Sequence, residues 1–267
     1  MSYPINYPTP QGANVQIFRG QDANTAAHTA TRDWVKPQGA SFVFFTLIGG
    51  GGGGGGNYDG VPGDDNAGGG GASGNVTNFM CPAFFLPNVL QVVVGTGGAG
   101  AAYAGLLNPG NSGSDGSATQ ILYQQKAGSG YTIITASAGG GGGGAPNGST
   151  PGTGGSAAGA NSGGPMTAAG FFNSTNGQNG ASTEITPNNL TFLLGGSGGT
   201  HLSDITAYYG YTASPAVGYG QIQPIIQSIS GGIAKSPFGA GGCGAAPSLT
   251  SGRAPDGGDG LVVIVTW

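Results

Sequence analysis

A chain that performs a reaction must bring nucleophiles, acids or metal ligands together, and this sequence holds few of them. His201-Leu202-Ser203-Asp204 is the place where His, Ser and Asp stand side by side. A Ser/His/Asp triad is a matter of geometry, and near neighbours in sequence do not by themselves surround one carbonyl. No Gly-x-Ser-x-Gly elbow follows a convincing strand, so the string reads as a polar loop. Asp59, Asp64 and Asp65 cluster with Asn66 in a Gly/Pro loop, and hard cations such as Ca²⁺ take oxygen ligands of this kind. Their spacing is neither that of an EF-hand nor that of the calcium-binding nonapeptide repeat. The three are weak candidate ligands, a turn-rich solvated loop is the plainer reading, and no metal is expected. Asp115, Asp256 and Asp259 read as turn residues. Gly-x-Gly-x-x-Gly strings recur, as they must by chance here, but none opens a helix. Ala234 stands where a Walker glycine would precede Lys235-Ser236. Two histidines and two cysteines at remote positions do not make a zinc site. Cys81 and Cys243 could pair but read as reduced thiols. The expectation is a protein without cofactor and without enzymatic activity.

The most informative candidate surface is aromatic. Tyr208, Tyr209 and Tyr211, with Tyr219 nearby, lie in a Gly/Ser/Pro-rich stretch. Tyrosine beside glycine and serine is the composition of binding loops, where rigid amphipathic anchors have adaptable polar neighbours. The alternative is a strand whose tyrosines pack over glycines. Phe171-Phe172 is a second, weaker candidate.

The surrounding chain must position these residues, and its composition is unusual. Among 267 residues there are 61 Gly and 17 Pro, more than twice the usual combined share of about 12%. Charged residues are 6%, with six Lys and Arg, ten Asp and Glu, and a net charge of −4. Six scattered basic residues cannot form the cationic face that nucleic-acid binding requires. Low charge and 37% hydrophobic residues argue against a charge-rich disordered chain, and the glycines do not recur every third position as in collagen. Helices are disfavoured, because each interior Gly costs about 1 kcal/mol relative to Ala. Leu, Ile, Val and Phe make up about a fifth of the chain, near the lower edge for a globular core. A core this thin suggests dense backbone hydrogen bonding, association with other copies, or both. The opening residues carry no basic and apolar export pattern. The longest apolar run, Phe42 to Ile48 interrupted by Thr46, is far short of the about 20 residues that span a bilayer. Membrane insertion is therefore not expected.

Residues 1–33 differ from the rest and read as an N-terminal arm and linker, with Val15-Gln16-Ile17-Phe18 as a short strand. From Trp34 a unit recurs, in which an apolar β-type run passes into a glycine tract. Residues 41–48 lead into Gly49 to Gly56, 89–94 into 95–100, 131–135 through 136–138 into Gly139 to Gly144, and 190–194 into 195–199; the chain closes on 260–267. The runs are rich in β-branched and aromatic residues, and several are apolar on both faces, as strands buried on both sides are. The tracts admit two readings. Gly/Ser-rich segments are commonly flexible linkers. Polyglycine can instead form an extended three-residue helix rising about 3.1 Å per residue, and such helices pack closely while their N–H and C=O groups bond to neighbours. The low charge of the tracts and their direct continuation from buried-type strands favour ordered packing. The expected fold is all-β with irregular parts: short buried strands alternating with packed polyglycine-type helices, with few or no α-helices, in one glycine-rich body over 34–267.

Trp34-Val35-Lys36-Pro37-Gln38-Gly39-Ala40, followed by a strand and a long glycine tract, resembles the opening of glycine-rich domains in bacteriophage virion proteins. Gly258-Asp259-Gly260 followed by the apolar run to Trp267 resembles their closing phrase, and Leu86-Pro87-Asn88-Val89 with Val93 to Gly100 is similar to an internal one. In composition the chain is also similar to the adhesins at the tips of T-even long tail fibres. The resemblance implies a virion appendage protein, a tail-fibre or adhesin component that attaches the particle to a host surface receptor, or else a structural fibre, head or collar decoration protein. It implies assembly in the host cytoplasm, docking onto other virion proteins through residues 1–33, and self-association as a homotrimer.

Overall fold

A computed structural model of the chain describes residues 12–20, 30–58, 66–123, 131–146, 152–153, 155–156, 170–180, 238–239, 241–242, 244 and 253–267. The described residues are all-β. Nine strands run in chain order: β1 Asn14–Arg19, β2 Ala30–Val35, β3 Phe42–Ile48, β4 Val76–Pro82, β5 Val89–Val94, β6 Thr119–Tyr123, β7 Tyr131–Ala136, β8 Phe171–Thr175 and β9 Leu261–Thr266. One 3-10 turn, Ala83–Phe85, links β4 to β5. Five strands form a sheet ordered β1-β9-β3-β4-β8, and four form a second, β2-β5-β6-β7. Every pairing is antiparallel.

The core lies between the sheets and follows the two-residue period of a pleated strand. From the larger sheet Val43, Phe45, Leu47, Phe79, Cys81, Val262 and Ile264 enter one buried cluster; from the smaller sheet Trp34, Leu90, Val92, Val94, Ile121 and Ile134 enter the same cluster. Trp34 meets Phe45 edge to face across the gap, with ring centroids 6.0 Å apart. Phe45 stacks on Phe79 of the neighbouring strand at 6.2 Å. Burial on both faces is realised where the larger sheet approaches the glycine tracts. There Ile48, Val76, Leu261 and Val263 form a second buried cluster on the outer face, with Phe238 and Val265 packed against it.

The opening and closing phrases of the sequence meet in space. Trp34 is fully buried in the core. Pro37 to Ala40 make a turn closed by the Ala40 N–H on the Pro37 carbonyl, with Gly39 at φ +82°, a left-handed conformation that glycine adopts without a Cβ penalty. The turn delivers the chain to β3, which pairs with β9 in register from Val43 opposite Thr266 to Ile48 opposite Leu261. Trp267 then stacks on Phe42 at 5.9 Å.

The expected boundary at residue 33 does not divide the structure. β1 pairs with β9 along its whole length, and β2 crosses residue 33 while paired with β5. Thr31, Arg32 and Asp33 gave a linker-like composition because they are exposed, while Trp34 faces inward. An edge strand with a solvated face carries such residues.

All the strands bordering a described glycine-rich segment do so at the same end of the sandwich. β3 runs into 49–56, β5 into 95–101, β7 into 137–145 and β8 into 176–180; the segments 66–75, 110–117 and 253–260 run into β4, β6 and β9. These segments form a second layer beneath the sheets, in which Gly49 to Asn57 and Gly68 to Asn75 are buried.

Candidate functional site

The tyrosine segment and the acidic loop of the sequence reading, Tyr208, Tyr209, Tyr211, Tyr219, Asp59, Asp64 and Asp65, lie outside the described residues, as do the string 201–204, Lys235-Ser236 and Cys243. Among the described residues there is no group of three or more His, Cys, Asp or Glu side chains able to hold a metal ion, and no helix long and apolar enough to cross a membrane. Phe171 and Phe172 lie on the edge strand β8. Phe172 packs against the core, and Phe171 is exposed. Cys81 is a free thiol buried in the core, and burial pushes its pKa up to about 11.

The most highly organised polar structure in the molecule is backbone. The tract 49–56 is surrounded by other extended segments, and its partners change with a step of three. Gly49, Gly52 and Gly55 donate to the carbonyls of Asn75, Ala72 and Gly69. Gly50, Gly53 and Gly56 donate to Ser117, Ser114 and Asn111, and Gly51 and Gly54 donate to Gly258 and Pro255. These eight bonds measure 2.8–3.1 Å. In each set the partner numbers fall as the tract advances, so all three donor-side neighbours run antiparallel to it. The tract's carbonyls are used as well. Gly139, Gly142 and Ala145 donate to Gly50, Gly53 and Gly56; Gly98 and Ala101 donate to Gly51 and Gly54; Gly242 donates to Gly52. Buried N–H and C=O groups are thereby paired without any sheet ladder, which meets the requirement on buried backbone.

Glycine is needed here because the backbones touch. A Cβ on Gly52 would land on the Gly140 carbonyl, one on Gly53 on the Ala99 carbonyl, and one on Gly55 on the Gly143 carbonyl. Backbone cannot swing aside as the end of a long side chain can. At Gly56, near the far end of the tract, the first atom met is the Asn111 nitrogen at 3.1 Å, a tight but milder contact.

Side chains finish what the backbone leaves over. Asp259 Oδ1 accepts the Gly97 N–H at 2.8 Å, and Asp256 Oδ1 accepts the Gly100 N–H at 2.7 Å. The two carboxylates are three residues apart and serve two amides three residues apart. Arg253 Nη2 donates to Asp256 Oδ1 at 2.7 Å and to the Gly100 carbonyl at 3.1 Å. Asp115 Oδ1 accepts the Gly141 N–H at 2.7 Å. Thr119 Oγ1 accepts the Gly95 N–H and donates to the Ile48 carbonyl at 2.6 Å, joining layer to sheet. Asp256 and Asp259 are therefore buried acceptors and not the turn residues expected from the sequence, and Asp115 is likewise an acceptor for the layer. The signal was present in the spacing, since carboxylates three apart match the step of the tract they serve.

The two ends of the body differ. The sandwich end, away from the glycine layer, exposes Val35, Phe42, Phe84, Phe85 and Val89, with Phe84 at 76%. Phe84 and Phe85 lie against each other at 4.0 Å. Lys36 Nζ holds the β4–β5 connection beneath them by donating to the Ala83 and Leu86 carbonyls at 3.0 and 2.8 Å. At the opposite end, the turn between 95–101 and 110–117 exposes Leu106 and Leu107, the latter at φ +60°. A leucine in that left-handed region carries backbone strain.

A sandwich whose strands continue into close-packed glycine tracts defines a glycine-dependent structural body. The chain belongs to the glycine-rich domain family, whose model matches residues 25–267. That match covers β2 to β9 and omits β1, which nevertheless completes the larger sheet. No curated protein matches the chain.

Proposed function

We propose that this chain is a non-enzymatic bacteriophage virion appendage protein, a tail-fibre or adhesin component that mediates host attachment. The observation that carries the proposal is the period of three in the hydrogen bonding of the tract 49–56. It suits tracts wound as polyglycine-type helices, which have three residues per turn, packed side by side and bonded on all sides. Such a body is stiff and chemically inert, and it leaves loops at its ends free to vary. That is what an appendage requires, since it must hold a contact surface away from a particle and transmit force. In this reading residues 1–33 dock onto other virion proteins, and the chain is assembled in the host cytoplasm. Tyr208, Tyr209, Tyr211 and Tyr219 contribute to the receptor surface. Attachment then works by binding, and several copies supply avidity without tight single-site affinity.

A second reading is a structural fibre or decoration protein without receptor contact. The exposed apolar residues of the sandwich end favour it, because contiguous apolar surface marks contact between proteins. The same surface supports self-association as a homotrimer, measurable by analytical ultracentrifugation.

Immunogold labelling of intact particles separates the readings. Label at the distal end of a tail fibre supports attachment, and replacement of Tyr208, Tyr209 and Tyr211 by Ser then abolishes host binding. Label on the head, collar or fibre shaft supports the structural reading. Absence of label from every particle removes both.

A further inference from the structure

At the smaller sheet, toward the sandwich end, a cavity of about 390 Å³ is lined by Asp33, Pro87, Asn88, Val89, Gln91 and Tyr123. Its walls are set by strand alternation. Trp34, Leu90 and Val92 point into the core, so their strand neighbours Asp33, Val89 and Gln91 point outward. Asp33 stands directly opposite Gln91 in the β2–β5 register. Pro87 and Asn88 precede β5 and form one rim, held in place by the Lys36 N–H on the Asn88 carbonyl at 2.8 Å. Tyr123, at the end of β6, packs partly against the core and lines the cavity.

We infer that this cavity is a binding site for a neutral saccharide. The volume falls within the range of small-molecule sites, about 300–1,000 Å³. The lining offers one carboxylate and two carboxamides, planar groups with adjacent acceptors and donors that match pairs of hydroxyls. It offers a tyrosine, a proline and a valine as apolar surface for the C–H face of a sugar ring. Among the described residues no lysine, arginine or histidine lines the cavity, so this wall does not recommend itself to phosphate, sulfate or uronate. Asp33 is the one carboxylate among the described lining residues, and glycoside cleavage ordinarily takes a pair, so the described wall suits binding of sugar without cleavage. The inference goes beyond the attachment reading, and sugar binding in solution does not depend on where the chain resides, so the two fail separately.

The test is a printed array carrying neutral hexose and N-acetylhexosamine glycans beside sialylated and sulfated ones, probed with the purified full chain. Binding confined to neutral glycans is expected. Asp33→Ala and Asn88→Ala, both at exposed positions, should each reduce the signal at least tenfold without shifting the melting curve. Tyr131→Ala, exposed but outside the cavity, should leave it unchanged. Binding to none of the glycans, binding to acidic glycans alone, or binding that survives both cavity substitutions overturns the inference. Glycan binding by a chain absent from particles would leave the cavity standing and remove the virion reading; particle label without glycan binding would do the reverse.

Discussion

The sandwich and the glycine layer solve one problem by opposite means. Between the sheets, Trp34, Phe45 and Phe79 exclude water with large rings, and the backbone bonds run along strand ladders. In the layer the glycine backbones themselves interlock, the tract 49–56 bonds to several neighbours in rotation, and a few side chains such as Asp256 and Asp259 serve the amides left over. The sandwich owes its stability mainly to apolar area removed from water. The layer depends on complete hydrogen bonding and on atomic contact between main chains. A bulky side chain is therefore the asset of one region and, at the close-packed glycines, the failure mode of the other.

Substitutions at four positions bear on this contrast, in descending order of expected effect. Gly52→Val should leave no cooperatively melting protein, because its side chain meets the Gly140 backbone; the cost should exceed the about 1–3 kcal/mol usual for an overpacked core. Circular dichroism on heating measures it, and a variant that melts within a few degrees of the parent would mean that the layer yields. Phe45→Ala should cost about 3–5 kcal/mol by opening a cavity between Trp34 and Phe79, read from denaturant unfolding. Asp259→Ala strands the Gly97 N–H and should cost about 1–3 kcal/mol. Asp259→Asn keeps an acceptor and should recover part of that loss, whereas equal losses would show that the amide goes unserved either way. Gly56→Ala should change stability by less than about 1 kcal/mol, since its nearest neighbour leaves 3.1 Å; a loss as large as that at Gly52 would erase the gradient along the tract.

A fifth expectation concerns pH and is smaller still. Burial raises the Cys81 thiol from 9.0 to about 11. The folded chain thus keeps a proton that the unfolded chain has released in that interval. The stability contributed by keeping the thiol neutral is complete below pH 9 and fades as pH rises through 11. Iodoacetamide at pH 8 should modify Cys81 much more slowly in the folded chain than after denaturation, as mass spectrometry of the peptide containing Cys81 will show.

Much of the architecture was legible from single runs of sequence. The apolar runs at 42–48, 89–94, 131–135 and 261–266 are β3, β5, β7 and β9, and Val15 to Phe18 lies in β1. What was not legible has a common cause. β4 and β6 follow glycine-rich segments instead of leading into them, they carry Asn78 and Gln120 on positions that alternate with the core, and the core-side positions beside Phe79 and Ile121 are the polar Thr77 and Thr119, both fully buried. β2 looked like linker because its outer face is Thr31, Asp33 and Val35 while Trp34 alone shows its inner face. Phe171 and Phe172 looked like a surface feature and are half of one, since alternation on an edge strand exposes one ring and packs the other, partly buried, against the core. At the candidate cavity, Asp33 and Gln91 are brought opposite each other by β2–β5 pairing, a relation that no local spacing encodes. The carboxylates at 256 and 259 were misread because turn chemistry and capping chemistry use the same residue type, and only the amides opposite distinguish them.

The encirclement of the tract 49–56 also sets an order of events during synthesis. Gly51 and Gly54 donate to the carbonyls of Gly258 and Pro255, residues made long after the tract itself. At ribosomal rates of about 5–20 residues per second, the tract waits roughly 10–40 s for its last neighbours. Until then the Gly51 and Gly54 amides lack these acceptors, and the inner edge of β3 has no β9 to pair with. Closure is thus a non-local event of the slow kind. A chain truncated before residue 253 should remain open at its centre, however many of its strands have already paired.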